Sequence, residues 1–379
     1  MAHPAPPPLT RLPQQFFTGV LAAAARARAL PGSAIIDLGR GNPDIPPPAH
    51  AVRALQEAAS GAAVHGYPPF QGTPALREAL AARYRADHGV TLDPETEVAV
   101  VPGTKTGIML TVLAAAAASE TVLLPDPGYP DYRSAVALAG AREVALPLLA
   151  DAGWQPDFDS APDAALTVLN YPSNPCAVCA AEGTFEAAVE RVAARGGWLL
   201  NDFAYGFLAF DGRRARSLLA VPGAREVGVE LWSASKVYGM AGWRIGFLVG
   251  NAELVGRVRT LVDHTTAGVF GAVQEGLRAA LTSDQRDVVE RVATYAARRD
   301  RVVSALRAAG TQIAAPEGSF FAWWRPPSGL TAERLLTEQR LSVAPGEGFG
   351  ARGAGWLRLS LSLPDAELDA GVARLIAAL

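Results

Sequence analysis

Cysteine is scarce in this sequence: its 379 residues hold two, Cys176 and Cys179. That excludes a disulfide framework and suits a reducing compartment, so the cytoplasm is the expected location. An excess of one charge is also lacking, since 34 Lys and Arg stand against 37 Asp and Glu. Without a basic surplus to meet a phosphate backbone, no nucleic-acid partner is expected. No apolar run is long enough to span a bilayer, because the Ala-rich stretch 21–30 is broken by Arg26 and Arg28. The Pro-rich start lacks the basic-then-apolar pattern of an export signal. No membrane association and no metal centre are expected. Half of the residues are hydrophobic and 19% are charged, which is the composition of a globular protein with a substantial core.

Along the chain, residues 1–13 carry five prolines and should be extended. A weakly amphipathic stretch 14–30 follows, then a loop rich in Gly and Pro from Gly39 to Pro48. Thr73 and Pro74 open a helix whose Leu76, Leu80 and Tyr84 share a face, and Gly89 can close it. From residue 97 to 249, short apolar strands alternate with helices: strands 97–101, 121–124, 143–146, 166–169, 198–201, 229–232 and 245–249, with helices 105–118, 130–139 and 185–195. That alternation predicts an α/β domain around a mostly parallel sheet covered by helices. Beyond residue 268 the pattern becomes a smaller α+β unit: a long helix 283–309, strands 319–324 and 356–361, and helices 332–339 and from 365. The expected division is an N-terminal segment 1–48 joining the small domain, a large domain 49–268 and a small C-terminal domain 269–379.

Several short constellations carry chemistry. Lys236 stands in an apolar, Gly-containing loop between two expected buried strands. Burial disfavours the ammonium and leaves a nucleophilic amine, as Schiff-base formation requires. Arg244, eight residues on, and Ser233 can bind a phosphate. The competing reading is a turn with an exposed lysine. Asp202 ends an expected strand, the edge at which open α/β sheets hold ligands, and Tyr205 follows by three. A buried aspartate there can pair with a protonated ring nitrogen, although by itself it reads as a helix cap. Asn174 lies just after another strand, in a sequence that otherwise reads as an Asn-Pro turn. Gly103, Thr104 and Lys105 connect a strand to a helix, whose free backbone N–H groups favour a phosphate. Tyr129, in Asp126-Pro127-Gly128-Tyr129-Pro130, can stack on a ring or simply pack in its loop. Arg358 lies inside an apolar strand. A buried arginine needs an anion, either a substrate carboxylate or an internal Asp or Glu.

Taken together, and over nearly the whole chain, these residues resemble the class I/II aminotransferases, the fold-type I pyridoxal-phosphate-dependent transferases. Asn174 precedes Asp202 by 28 residues, as the resemblance requires. The resemblance implies a pyridoxal 5'-phosphate cofactor carried by Lys236, which also moves the substrate proton. It implies Asp202 on the ring nitrogen, and Asn174 and Tyr205 on the ring oxygen. Gly103, Thr104, Lys105, Ser233 and Arg244 would surround the phosphate, with Tyr129 against the ring. Tyr67 would reach the phosphate of a neighbouring subunit in a homodimer. Gly41, Asn174 and Arg358 would hold the substrate α-carboxylate. The motifs 12–17, 41–44, 202–206 and 345–350 are similar to methionine-salvage transaminases. Those at 92–97, 211–213 and 268–270 are similar to LL-diaminopimelate aminotransferases. One loop departs from the family's Asn-Pro-Thr-Gly pattern: Cys176-Ala177 follows Asn174-Pro175, and the missing glycine is expected to shift that loop.

The reaction expected is a ping-pong transfer of an amino group between an L-amino acid and a 2-oxo acid. A hydrophobic donor such as methionine or an aromatic amino acid fits Phe16, Phe17, Phe270 and Phe320 as pocket candidates. A lyase, racemase or oxidase on the same fold stands as the alternative, beside a specialised transaminase of secondary metabolism. A non-catalytic effector-binding module is the reading from a different class. The complete set of Lys236, Asp202 and Arg244 speaks against it.

Overall fold

The computed structural model describes residues 7–29, 31–32 and 34–379. Its main feature is an eight-stranded sheet. In spatial order the strands are Val98–Val101, Gly246–Gly250, Gly228–Ser233, Trp198–Asp202, Leu166–Leu169, Thr121–Asp126, Arg142–Leu149 and Gln155–Pro156. The five strands from Gly228–Ser233 to Arg142–Leu149 pair in parallel. Gly246–Gly250 runs antiparallel to both of its neighbours, and Gln155–Pro156 is antiparallel at the far edge. Several central strands are buried along their whole length, as expected of a sheet covered on both faces. Because Val98–Val101 and Gly228–Ser233 both oppose Gly246–Gly250, they point the same way. Their C-terminal ends therefore lie on one edge with those of the other parallel strands, where ligands bind in open α/β sheets.

A second, three-stranded antiparallel sheet joins Phe321–Trp324, Leu357–Ser360 and Ala344–Pro345, with Trp323 opposite Arg358. The N-terminal segment joins this unit through Ile36–Asp37, which pairs in parallel with Leu341–Ser342. Ile36 and Leu38 share one apolar cluster with Trp324, Leu357 and Leu375. The structure also brings corrections. Residues 1–6 of the expected extended start lie outside the described residues, and Pro7–Thr10 forms a helical turn. Proline is tolerated there because the first turn needs no backbone N–H donors. Helix Pro74–His88 is closed by Gly89 in the left-handed region, but Thr73 makes no side-chain cap bond. Lys236 lies in a short helical turn, Ala234–Val237, rather than in a loop.

Two helices were not expected from sequence. Ala252–Thr265 is capped by Asn251, whose side-chain oxygen accepts from the N–H groups of Glu253 and Leu254. Gly271–Thr282 places Leu277, Ala280 and Leu281 in the core of the large sheet, beside Val98 and Trp232. The long helix Arg286–Ala308 then passes from one core to the other. That helix carries Val288 in the large core and Tyr295, Val302 and Leu306 in the small one.

Helix Gly271–Thr282 depends on close approach. A Cβ on Gly276 would come within 2.7 Å of the Trp243 ring and 3.0 Å of the Ala51 carbonyl oxygen. Gly276→Ala is therefore expected to destabilise the protein by about 1–3 kcal/mol, through overpacking that outweighs its better helix propensity. Chemical denaturation would check this, and an unchanged or raised midpoint would show that the two helices separate freely.

Candidate active site

The strand ends converge on a cavity of about 330 Å³. Its walls include Gly41, Thr104, Lys105, Tyr129, Asn174, Asp202, Tyr205, Ser233, Lys236, Arg244 and Arg358. Of the residues singled out from sequence, Gly103 adjoins it through Arg244, and Tyr67 does not line it. Lys236 follows the strand Gly228–Ser233 on a turn that Ser233 caps, its Oγ accepting from the Ser235 N–H at 3.2 Å. The Lys236 Nζ donates to the Gly41 carbonyl at 3.1 Å and lies 5.4 Å from the centre of the Phe320 ring. It is half-buried, not the exposed lysine of the competing reading, and has no carboxylate in salt-bridge range among the described residues. Burial, helped by the Arg358 and Arg244 charges, lowers its pKa to about 8, against the pull of Asp202. A lysine held near neutrality is a nucleophile and a proton carrier.

Asp202 ends its strand fully inside the protein. Its Oδ2 accepts from the Tyr132 hydroxyl at 2.7 Å and its Oδ1 from the Ala204 N–H at 3.3 Å. Burial raises its pKa to about 6, with Tyr132, Ala204 and Lys236 opposing the shift. A cationic ring nitrogen is the partner such a carboxylate lacks. Tyr132 was not picked out from sequence. Its place three residues after Tyr129, on the buried face of helix Asp131–Ala139, was the available signal. Tyr205 is buried beside the same space, edge-on to Phe320 and Phe321.

At another corner, Gly103 (φ 81°) precedes the helix Thr104–Ala115. A Cβ there would sit 2.6 Å from Nη2 of Arg244, so the glycine lets the guanidinium close on the helix start. Arg244 is exposed rather than buried as expected, and its Nη1 donates to the Ala241 carbonyl at 3.0 Å. It lies at the cavity's mouth, where water solvates it. Lys105 turns its ammonium to Asp131 at 3.0 Å, so what remains for a phosphate at that residue is chiefly the helix backbone.

Arg358 is the most informative residue. It is 1% exposed, yet no carboxylate among the described residues pairs with it. Its Nη1 donates to Asn174 Oδ1 at 2.7 Å and its Nη2 to the Gly39 carbonyl at 2.8 Å, while its buried Nε has no partner. The guanidinium lies over the rings of Phe321, Phe349 and Phe17, at 3.9, 4.8 and 5.2 Å from their centres. The internal ion pair that was the competing reading is absent, and burial lowers the pKa of Arg358 to about 10. Gly41 has to be glycine, since a Cβ would come within 2.8 Å of the Phe321 ring. Phe17 lines the cavity and Phe321, missed in the sequence, joins it. Phe16, Phe320 and Phe270 do not line it, and Phe270 is half exposed.

In the loop after Asn174, Ala177 takes the left-handed backbone, at φ 59°. Both cysteines are free thiols. Burial pushes Cys176 well above the usual thiol range and Cys179 up to about 12, which leaves little thiolate for redox chemistry.

With this geometry in view, the comparisons define a class. The family model described as aminotransferase class I and II matches residues 33–375, and the chain belongs to that family of pyridoxal-phosphate-dependent enzymes. The Asp202 carboxylate without a paired cation, the lowered pKa of Lys236 and the open helix start at Gly103 fit such a cofactor. Among individual proteins, the chain is 40% identical to one from Bacillus subtilis (strain 168) named L-glutamine--4-(methylsulfanyl)-2-oxobutanoate aminotransferase, over 97% of this chain and 94% of that one. It is 38% identical to an LL-diaminopimelate aminotransferase from Dehalococcoides mccartyi, over 97% of each. A substrate-bound structure of BacF from Bacillus subtilis superposes with a TM-score of 0.94 at 35% identity, over all of this chain and 98% of that one. The chain is an aminotransferase.

Two outcomes test the electrostatics. The neutral amine of Lys236 is the reactive form, so covalent uptake of cofactor by the apoprotein should speed up as pH rises through about 8 and then level off. A rate that is flat from pH 6.5 to 9 in a stopped-flow absorbance record would contradict it. Replacing the unpaired Arg358 by Met removes a buried charge. Arg358→Met should lose roughly 10²–10³-fold in kcat/KM, while the apoprotein melts no lower than wild type. A clearly lower melting temperature would mean that Arg358 serves the fold and not the substrate.

Proposed function

We propose that this aminotransferase takes a hydrophobic L-amino acid as donor, passes its amino group to a 2-oxo acid in ping-pong order, and works as a cytoplasmic homodimer. The observation that carries the reading is Arg358, a buried cation with no counter-ion, set beside the apolar wall of Phe17, Val20 and Leu21. A substrate α-carboxylate supplies the missing anion. Asn174 and the Gly39 carbonyl hold the guanidinium in the orientation that receives it. The substrate side chain then lies along helix Phe16–Arg28, whose residues form that wall.

Pyridoxal phosphate, when bound, supplies an electron sink for the pair left at Cα. The chain's own residues do the rest. Lys236 holds the cofactor and then carries the Cα proton on its Nζ. Asp202 balances the charge of the ring nitrogen, with Tyr132 keeping the carboxylate in place. Asn174 and Tyr205 would hold the ring oxygen, and Tyr129 would pack on the ring. Gly103, Thr104, Lys105, Ser233 and Arg244 surround the phosphate. Gly41 leaves room for the α-carboxylate beside Arg358.

Support for a dimer comes from Tyr67, which is 89% exposed, does not line the chain's own cavity and meets only the edge of Phe70 among the rings of the described residues. A lone tyrosine so displayed fits a neighbouring subunit's site. Two free thiols suit a reducing cytoplasm, and no helix among the described residues is long and apolar enough to cross a membrane. The relative named for glutamine and 4-(methylsulfanyl)-2-oxobutanoate agrees with a sulfur-containing, apolar partner. The polar rim of Asp37, Arg40 and Asn42 suits a second substrate with a polar tail, as glutamine has.

Single amino acids, added without acceptor, test this. Methionine or phenylalanine should convert the cofactor's absorbance band at least about tenfold faster than aspartate, the discrimination an apolar pocket gives. A 2-oxo acid should then restore the band. Preference for aspartate with no response to methionine or phenylalanine would overturn the donor class. Product release with the band unchanged would move the reaction to lyase chemistry.

A further inference from the structure

Asp131 belongs to none of the sequence motifs, yet three separate elements meet on its carboxylate. It opens helix Asp131–Ala139, is 5% exposed, and lies two residues beyond Tyr129. Its Oδ1 accepts from Gln15 Nε2 at 2.9 Å. Its Oδ2 accepts from the Tyr129 hydroxyl at 2.5 Å and lies 3.0 Å from the Lys105 ammonium. Gln15 is the N-cap of helix Phe16–Arg28, and its Oε1 accepts from the Thr18 N–H at 2.8 Å. One side chain thus starts the helix with its oxygen and ties it to Asp131 with its nitrogen. Lys105 stands in the first turn of the helix that begins at Gly103.

Helix Phe16–Arg28 is weakly held elsewhere. Of its 13 residues only Ala24 is buried. Its other anchors are the Phe16 and Phe17 contacts with Phe349, the Arg340 bond to the Ala27 carbonyl at 2.7 Å, and a long Arg28–Asp37 pair at 3.8 Å. Segments with so little buried contact open at low cost. This same helix supplies Phe17, Val20 and Leu21 to the substrate cavity, and Phe17 lies both over Arg358 and against Tyr129. This wall of the cavity is therefore tied to the ring-facing tyrosine twice, by the Phe17 ring contact and by polar bonds that meet on one carboxylate.

We propose that Asp131 is a positioning residue that couples closure of helix Phe16–Arg28 over the substrate to the placement of the Tyr129 ring. Its two oxygens divide the work: Oδ1 holds the helix and Oδ2 holds Tyr129 and Lys105. When the helix lifts, Gln15 leaves Oδ1 and the carboxylate is free to turn, which loosens Tyr129. When the helix closes, the ring is fixed in the geometry used for chemistry. The burial of Tyr129 and its carboxylate neighbour keep its hydroxyl protonated, so it remains the donor in this bond. The inference rests on Tyr129 facing the cofactor ring. The coupling itself is a property of the chain and can be read without the cofactor.

The test uses Tyr129→Phe, which removes the hydroxyl and keeps the ring contact with Phe17. Trypsin cleavage after Arg26 and Arg28 in the apoprotein reports opening of the helix, although Tyr129 touches neither site. Coupling of the size found for shared partners should speed cleavage by about threefold in Tyr129→Phe and about tenfold in Asp131→Ala. In the holoenzyme, Gln15→Ala should raise the donor KM more than it lowers kcat and should shift the visible circular dichroism of the bound cofactor. The same Gln15→Ala change made on Asp131→Ala should add nothing to either signal. Cleavage of Tyr129→Phe at the wild-type rate would overturn the coupling, as would a full Gln15→Ala effect in the Asp131→Ala background. Should Asp131→Ala fail to fold, the Tyr129→Phe rate and the Gln15→Ala/Tyr129→Phe double-mutant cycle still decide, multiplicative effects overturning the proposal. If Tyr129→Phe speeds cleavage but leaves the cofactor signal untouched, the coupling stands and the placement of Tyr129 on the ring fails.

Discussion

The guanidinium of Arg358, buried without a counter-ion, is the constraint around which the site is organised. A charge taken out of water costs far more than two hydrogen bonds return. Here it is held by Asn174, by the Gly39 carbonyl, and by the faces of three phenylalanines. Those partners come from distant parts of the chain: the N-terminal segment, the loop after the strand Leu166–Leu169, and the small sheet. The folded chain brings all of them to one side chain, so the charge is prepared for a substrate by a scaffold that other contacts hold together. The residual cost shows in its lowered pKa and its unpartnered Nε, and a bound carboxylate would relieve both. Arg358 lies on Leu357–Ser360, the central strand of the small sheet, where paired neighbours on both sides hold its backbone.

Lys236 feels the same cation. The Arg358 and Arg244 charges both depress its pKa, on top of burial. Substrate binding would neutralise the nearer charge and so raise the basicity of Lys236 when a proton has to be taken from Cα. Asp202 works against this depression and is itself held back from full ionisation by burial, with Tyr132 as its fixed donor. Two titratable groups whose environments push them toward neutrality, facing one cavity, are the electrostatic mark of a site that awaits a charged cofactor and substrate.

The loop at Asn174 departs from the family's sequence pattern and carries its strain on one residue. Ala177 occupies the left-handed region where the family carries glycine. That conformation costs an L-residue roughly 1–2 kcal/mol. The loop accepts it because Ala177 is buried in the core of the small unit, and its carbonyl receives the N–H groups of Glu317 and Gly318. The strain is borne locally, and Asn174 bonds to Arg358.

The sequence by itself determined the alternation of strands and helices and the identity of the chemical groups. Lys236, Asp202, Asn174 and Arg358 were legible because each is a polar residue at the end of, or inside, an apolar strand, and burial of such groups demands a reason. Helix Ala252–Thr265 was legible too, through Asn251 and its buried Leu254, Val255, Val258 and Val262, although it was not read. Tertiary structure alone decided the rest. Helix Gly271–Thr282 carries two glycines and forms because a neighbouring helix and Trp243 approach where a Cβ would collide. Exposure of Arg244, pairing of Lys105 with Asp131, and the carboxylate-free state of Arg358 depend on which side chains meet between separate elements of the chain. Local periodicity records which face of an element is apolar. It carries no record of which partner that face will meet, and the charges of this site take their properties from those partners.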